Sequence, residues 1–118
     1  MLSLLGPVRI LVYVPPTDMR KGFDSLAALV REQMGEDPLS GHLFVFRSRR
    51  GNRVKLLFWD RDGLALYYKR LERGTIRFPA VAAGQQSMSV TAEELSLLLW
   101  GIDLASVRRQ KRHVRPAG

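Results

Sequence analysis

Residues 53–71 read Arg53-Val54-Lys55-Leu56-Leu57-Phe58-Trp59-Asp60-Arg61-Asp62-Gly63-Leu64-Ala65-Leu66-Tyr67-Tyr68-Lys69-Arg70-Leu71, two apolar, strand-forming runs around an acidic turn. The Asp62-Gly63 pair between such runs is a strong hairpin signal, because both turn residues must tolerate positive φ. Residues 54–59 therefore read as a strand. Residues 64–71 read as its antiparallel partner, while 64–72 is also compatible with one or two helical turns; Gly74 and Pro79 close the segment either way.

Residues 43–46, before the Gly51-Asn52 turn, supply another strand, so the centre of the chain is an antiparallel meander. Upstream, residues 8–14 (Val-Arg-Ile-Leu-Val-Tyr-Val) are β-branched and aromatic and stop at Pro15-Pro16, which cannot donate to a ladder. Thr17 and Asp18 then offer oxygens where a helix can start. Met19, Phe23, Leu26, Ala27, Val30 and Met34 recur at three- and four-residue steps up to Gly35, which predicts an amphipathic helix over 19–34. Downstream, a loop over 80–87 leads to Thr91 and Glu94, spaced as a capping box, and to a second apolar stripe of Leu95, Leu98, Leu99 and Ile102. The expected fold is α+β: a twisted antiparallel sheet of about four or five strands with a central meander, one helix before it and one after it. Residues 1–105 form the single domain, and 106–118 a flexible basic tail.

The 118 residues and 46% hydrophobic content suit one core. Cysteine is absent, which removes disulfides, thiolate metal sites and thiol nucleophiles, and fits a cytoplasmic protein. The apolar start at Met1-Leu2-Ser3-Leu4-Leu5 reaches Pro7 and Arg9 too soon for a signal-peptide core or a membrane span.

The net charge of +8 is unevenly spread. Residues 47–77 hold ten Lys/Arg against three Asp/Glu, and residues 108–118 hold five against none. Charge concentrated in blocks attracts polyanions. The loop from Arg47 through Arg49 and Arg50 to Arg53 places arginines at a hairpin tip, where they can fork onto phosphate oxygens. With the purely apolar rows facing the helices, Arg53, Lys55, Trp59, Tyr67 and Lys69 share the outer sheet face, a pattern in which cations meet phosphates and rings stack on bases. In the opposing reading, Leu57, Trp59 and Tyr67 pack against the second helix and the basic stems lie over them. Arg70 and Arg73 extend the basic surface, and the tail residues Arg108, Arg109, Lys111 and Arg112 add nonspecific phosphate contacts.

The catalytic inventory is thin. His42 and His113 are far apart in sequence, no Ser-His-Asp motif accompanies them, and no phosphate-binding glycine loop is present. Asp60 and Asp62 are the acids that a metal-dependent nuclease would need, but a hairpin turn favours Asp for its conformation alone. No catalytic residue, metal site or cofactor is expected.

Five stretches, in this order, carry a family resemblance: residues 17–26 (Thr-Asp-Met-Arg-Lys-Gly-Phe-Asp-Ser-Leu), 37–47 (Asp-Pro-Leu-Ser-Gly-His-Leu-Phe-Val-Phe-Arg), 53–63, 68–74 and 99–103. Together they resemble the accessory proteins, often called TnpB, encoded by the second reading frame of insertion sequence 66 family elements. Leu39 and Leu64 stand where that pattern has phenylalanine, and Phe78 where it has tryptophan. The resemblance implies a role in transposition beside a separate transposase that carries the strand-transfer chemistry; it supplies no site residues. Two functional expectations follow, a non-enzymatic factor that binds DNA through the basic meander, or an adaptor that contacts the transposase through its aromatic face. Oligomeric state is not legible.

Overall fold

The computed structural model describes residues 8–78 and 81–99. Five strands, β1 (Ile10–Tyr13), β2 (Leu43–Arg47), β3 (Arg53–Asp60), β4 (Gly63–Arg70) and β5 (Ser87–Val90), form one sheet in the order β4-β3-β2-β1-β5. Helix α1 (Phe23–Gln33) connects β1 to β2, and α2 (Ala92–Leu99) follows β5. The fold is α+β, with the meander β2-β3-β4 antiparallel throughout. Residues 64–70 are strand, which settles the alternative between strand and helix.

The sheet is mixed. β1 runs parallel to β2, with Leu11 opposite Phe44 and Val12 opposite Val45, because the connection between them is a helical crossover that returns the chain in its original direction. A fifth strand, β5, pairs antiparallel with β1 inside the segment read as loop followed by helix. Its Ser-Met-Ser-Val sequence is too short to stand out, yet Met88 and Val90 alternate with serines as a half-buried strand requires. Among the described residues, no helix is long and apolar enough to cross a membrane.

Helix α1 starts four residues later than the periodicity predicts. Asp18 Oδ1 accepts the Arg20 N–H at 2.9 Å, and Lys21 N–H reaches Asp18 O at 3.1 Å, so residues 18–21 close a turn of their own. Gly22 becomes the N-cap, its N–H bonded to Ser25 Oγ at 3.0 Å. At the other end Gly35 adopts φ +65, which turns the chain so that the Glu36 N–H reaches back to Val30 O and closes the helix. Helix α2 starts as the capping box requires: Glu94 N–H donates to Thr91 Oγ1 and Thr91 N–H to Glu94 Oε1, both at 3.0 Å. Thr91→Ala is expected to lower stability by about 1 kcal/mol, read as a shift of the denaturation midpoint with unchanged slope.

Both sheet faces are covered, so the molecule has two cores. Leu26, Ala27 and Val30 of α1 pack on Leu11, Tyr13, Phe44, Phe46 and Leu57. On the other face Leu95 and Leu98 of α2 pack with Val12, Leu43, Val45, Val54, Leu56 and Val90. Apolar side chains thus occupy both parities of β1, β2 and β3, as expected of strands without a solvent face.

Candidate nucleic-acid interface

The register of the hairpin decides which basic residues share a surface. Val54 lies opposite Lys69, Lys55 opposite Tyr68, Leu56 opposite Tyr67 and Trp59 opposite Leu64. Directly opposed residues of an antiparallel pair point to the same face. Arg53, Lys55 and Trp59 therefore lie on the α1 face with Tyr68 and Arg70, whereas Tyr67 and Lys69 lie on the α2 face beside Val54, Leu56 and Phe58. The single outer row of Arg53, Lys55, Trp59, Tyr67 and Lys69 does not form. The reason is the two-residue turn: Asp60 pairs with Gly63 around Arg61 (φ +58) and Asp62, so each odd-numbered residue of β3 lies opposite an even-numbered residue of β4.

Lys55 is also buried rather than offered to solvent, at 6% exposure. Its Nζ donates to Met19 O at 2.6 Å and to Lys21 O at 2.7 Å, and lies 4.7 Å from the centroid of the Tyr68 ring. It ties the β1–α1 turn to the sheet. Arg47 is half-committed in the same way: its Nε donates to Val14 O at 2.9 Å, its guanidinium stands 5.6 Å from the Phe78 ring, and burial lowers its pKa from the ordinary arginine value. Trp59 is half-buried near the far end of β3, away from the arginine-bearing end. Tyr67 is about half exposed, but on the other face and on the edge strand.

What the fold brings together is one end of the sheet. Arg49 and Arg50 project from the β2–β3 turn and are exposed. Arg53 stands directly opposite Arg70, and Arg73 follows in the exposed loop after β4. Leu71 N–H donates to Asn52 O at 2.7 Å and Ile76 N–H to Gly51 O at 2.6 Å, which fastens the 71–77 loop against the tip and adds the exposed Arg77 to the same end. Like charges opposed across a ladder cost on the order of 0.2–1 kcal/mol, and Arg53 and Arg70 sit in that relation. Glu72 offsets Arg70 at 3.2 Å, and Tyr68 Oη accepts from Arg53 at 3.2 Å. Among the described residues, Arg49, Arg50, Arg53, Arg73 and Arg77 have no carboxylate partner.

Two shallow clefts flank the tip. One, of about 310 Å³, is lined by Arg53, Tyr68, Arg70 and Glu72. The second, of about 300 Å³, lies between the tip and the β1–α1 turn and is lined by Thr17, Asp18, Met19, Ser48, Arg49, Arg50, Asn52 and Arg53. Thr17 and Arg77 carry no sequence signal for this role, since only the docking of the β1–α1 turn and the 71–77 loop places them here. His42 is a structural acceptor, its Nδ1 taking the Arg9 N–H at 3.0 Å. Asp60 and Asp62 shape the hairpin turn, with Asp62 N–H bonded to Asp60 O. The tail residues Arg108, Arg109, Lys111 and Arg112 lie outside the described residues.

Comparison with known proteins agrees over nearly the whole chain. An uncharacterized protein of Sinorhizobium fredii (strain NBRC 101917 / NGR234), y4jC, is 41% identical over 110 residues, which covers 91% of this chain and 92% of that protein. A second from the same strain, the uncharacterized protein y4hO, is 43% identical over 96 residues, covering 81% and 82%. No solved structure matches. The sequence model for IS66 Orf2-like proteins matches residues 8–109, from the strand before α1 to beyond α2, and the chain belongs to that family.

Proposed function

We propose that this protein is a non-enzymatic accessory factor for transposition that binds duplex DNA through the basic end of its sheet. Family membership supports the transposition role. The observation that most favours DNA is the convergence of exposed Arg49, Arg50, Arg53, Arg70, Arg73 and Arg77 at one end of a sheet whose two faces are already covered by helices. Arginines without carboxylate partners gain from a polyanion that neutralises them, and so does the opposition of Arg53 to Arg70 across the ladder. Such a factor works in the cytoplasm, where the element's DNA is, and leaves strand transfer to the transposase. A direct contact with the transposase is the rival reading, favoured by Tyr67 and Tyr68, each about half exposed on the edge strand β4.

The test is titration with element-end duplex, random duplex and the transposase, repeated with Arg49→Ala/Arg50→Ala. Both residues are exposed at the turn, so the double variant is expected to fold with unchanged stability. If both neutralise phosphates, its plot of log affinity against log salt is shallower by about 1.8 units, with weaker binding to every sequence. Unchanged affinity and slope, with transposase binding retained, would favour the adaptor.

A further inference from the structure

The cleft between the tip and the β1–α1 turn is built more firmly than a chance gathering of surface arginines. Thr17 N–H donates to Arg47 O at 2.8 Å, which joins the turn to the end of β2. The opposite wall is fixed by Gly51, at φ +74, where a Cβ would meet Ile76 O at 3.1 Å and Thr75 Cβ at 3.3 Å; a side chain there would force the tip away from the 75–76 backbone. Ser48 Oγ accepts the Arg53 N–H at 3.1 Å and bonds Asn52 Oδ1 at 3.3 Å, which leaves the Asn52 NH₂ group without a partner among the described residues. Among the described residues, the one acid that lines the cleft is already matched. Asp18 is clamped by Arg20, whose Nη2 donates to Oδ2 at 2.8 Å and whose Nε lies 3.1 Å from each carboxylate oxygen, and these hydrogen bonds hold its pKa down to about 2.

Thr17 is the informative residue. It lines this cleft and the adjoining one beside Arg20 and Arg49, yet it is only 5% exposed, so it forms a floor rather than a rim. Its hydroxyl is buried and has no hydrogen-bond partner among the described residues. A buried hydroxyl left unpaired carries a desolvation cost, and at a cleft walled by arginines an anion oxygen that accepts from it would remove that cost.

We propose that this cleft seats one phosphodiester group, with the Thr17 hydroxyl and the Asn52 amide donating to its oxygens and Arg49 and Arg50 closing over it. The seat rests on the DNA reading above and adds a fixed point to it, since phosphate contacts from a rigid site set the register of the protein on a duplex.

Thr17→Val tests the seat, because it removes the hydroxyl and keeps the shape. The variant is expected to fold with stability equal to or above that of the parent. Its affinity for duplex DNA falls about tenfold at every salt concentration, as for one lost hydrogen bond to a charged group. The salt slope stays unchanged because no charge has been removed, in contrast to Arg49→Ala/Arg50→Ala. Thr17→Ser keeps the hydroxyl and retains parental affinity. A destabilised Thr17→Val, or Thr17→Ser as weak as Thr17→Val, would overturn the seat by showing that the hydroxyl is already paired or that only the methyl matters. Parental affinity in Thr17→Val beside a weakened double-arginine variant would also overturn it and leave the DNA reading standing. If the parent protein fails to bind duplex DNA, the DNA reading falls and inorganic pyrophosphate decides the seat: thermal stabilisation of the parent but not of Thr17→Val upholds it, and stabilisation of neither overturns it.

Discussion

Lys55→Met is expected to cost about 3 kcal/mol of folding stability and to lower the melting temperature by roughly 10–20 °C. Methionine keeps the apolar stem but withdraws the ammonium that joins Met19 O and Lys21 O, leaving two carbonyls of the β1–α1 turn without their shared donor. Charge-assisted hydrogen bonds contribute about 1.5–3 kcal/mol each, and the loss is largest where water cannot replace the donor, as at this 6% exposed side chain. Chemical denaturation would register the change as a lower midpoint at constant slope. DNA affinity measured on the folded fraction should keep the parental salt slope. The reverse result, unchanged stability with a slope shallower by about one unit, would return Lys55 to the surface as a phosphate contact.

Phe44→Ala carries the other large effect, an expected loss of about 3–5 kcal/mol. Phe44 is fully buried on β2, opposite Leu11 on one side and Leu57 on the other, and packs in the cluster that holds α1 to the sheet. Alanine there leaves a cavity between three strands and a helix, none of which can close it without breaking ladder hydrogen bonds. A domain of this size typically has only about 5–15 kcal/mol in total, so the variant should be partly unfolded at moderate temperature. Guanidinium titration of Phe44→Ala beside Phe44→Leu would measure it. A cost below about 1 kcal/mol for the alanine variant would mean that the α1 face is not packed as described.

Elements defined by local chemistry were legible in the sequence. The Thr91–Glu94 capping box, the stop at Pro15-Pro16, the glycine after α1 and the strands of the meander each depend on neighbours within a few residues, and each occurs where the pattern places it. The start of α1 did not follow its apolar spacing, because a backbone turn organised by Asp18 competed with helix formation at residues 18–21. The concentration of charge in 47–77 was legible too, and Arg49, Arg50, Arg53, Arg70 and Arg73 do gather at one end of the sheet.

The division of the remaining candidates was decided by tertiary structure. Alternation within a strand says which residues share a face, but not how one strand's faces align with those of the next. A turn of two residues pairs odd-numbered positions of β3 with even-numbered positions of β4, and therefore sends Tyr67 and Lys69 to the face opposite Arg53 and Lys55. Lys55 looks in sequence like a surface cation, and only the arrival of the β1–α1 turn over β3, more than thirty residues away in the chain, buries its ammonium against two carbonyls. The same turn brings Thr17 to the arginine tip. Composition and local pattern thus determined that the protein is a small α+β domain with a basic centre, whereas long-range packing decided which of its cations are structural and which remain free to meet an anion.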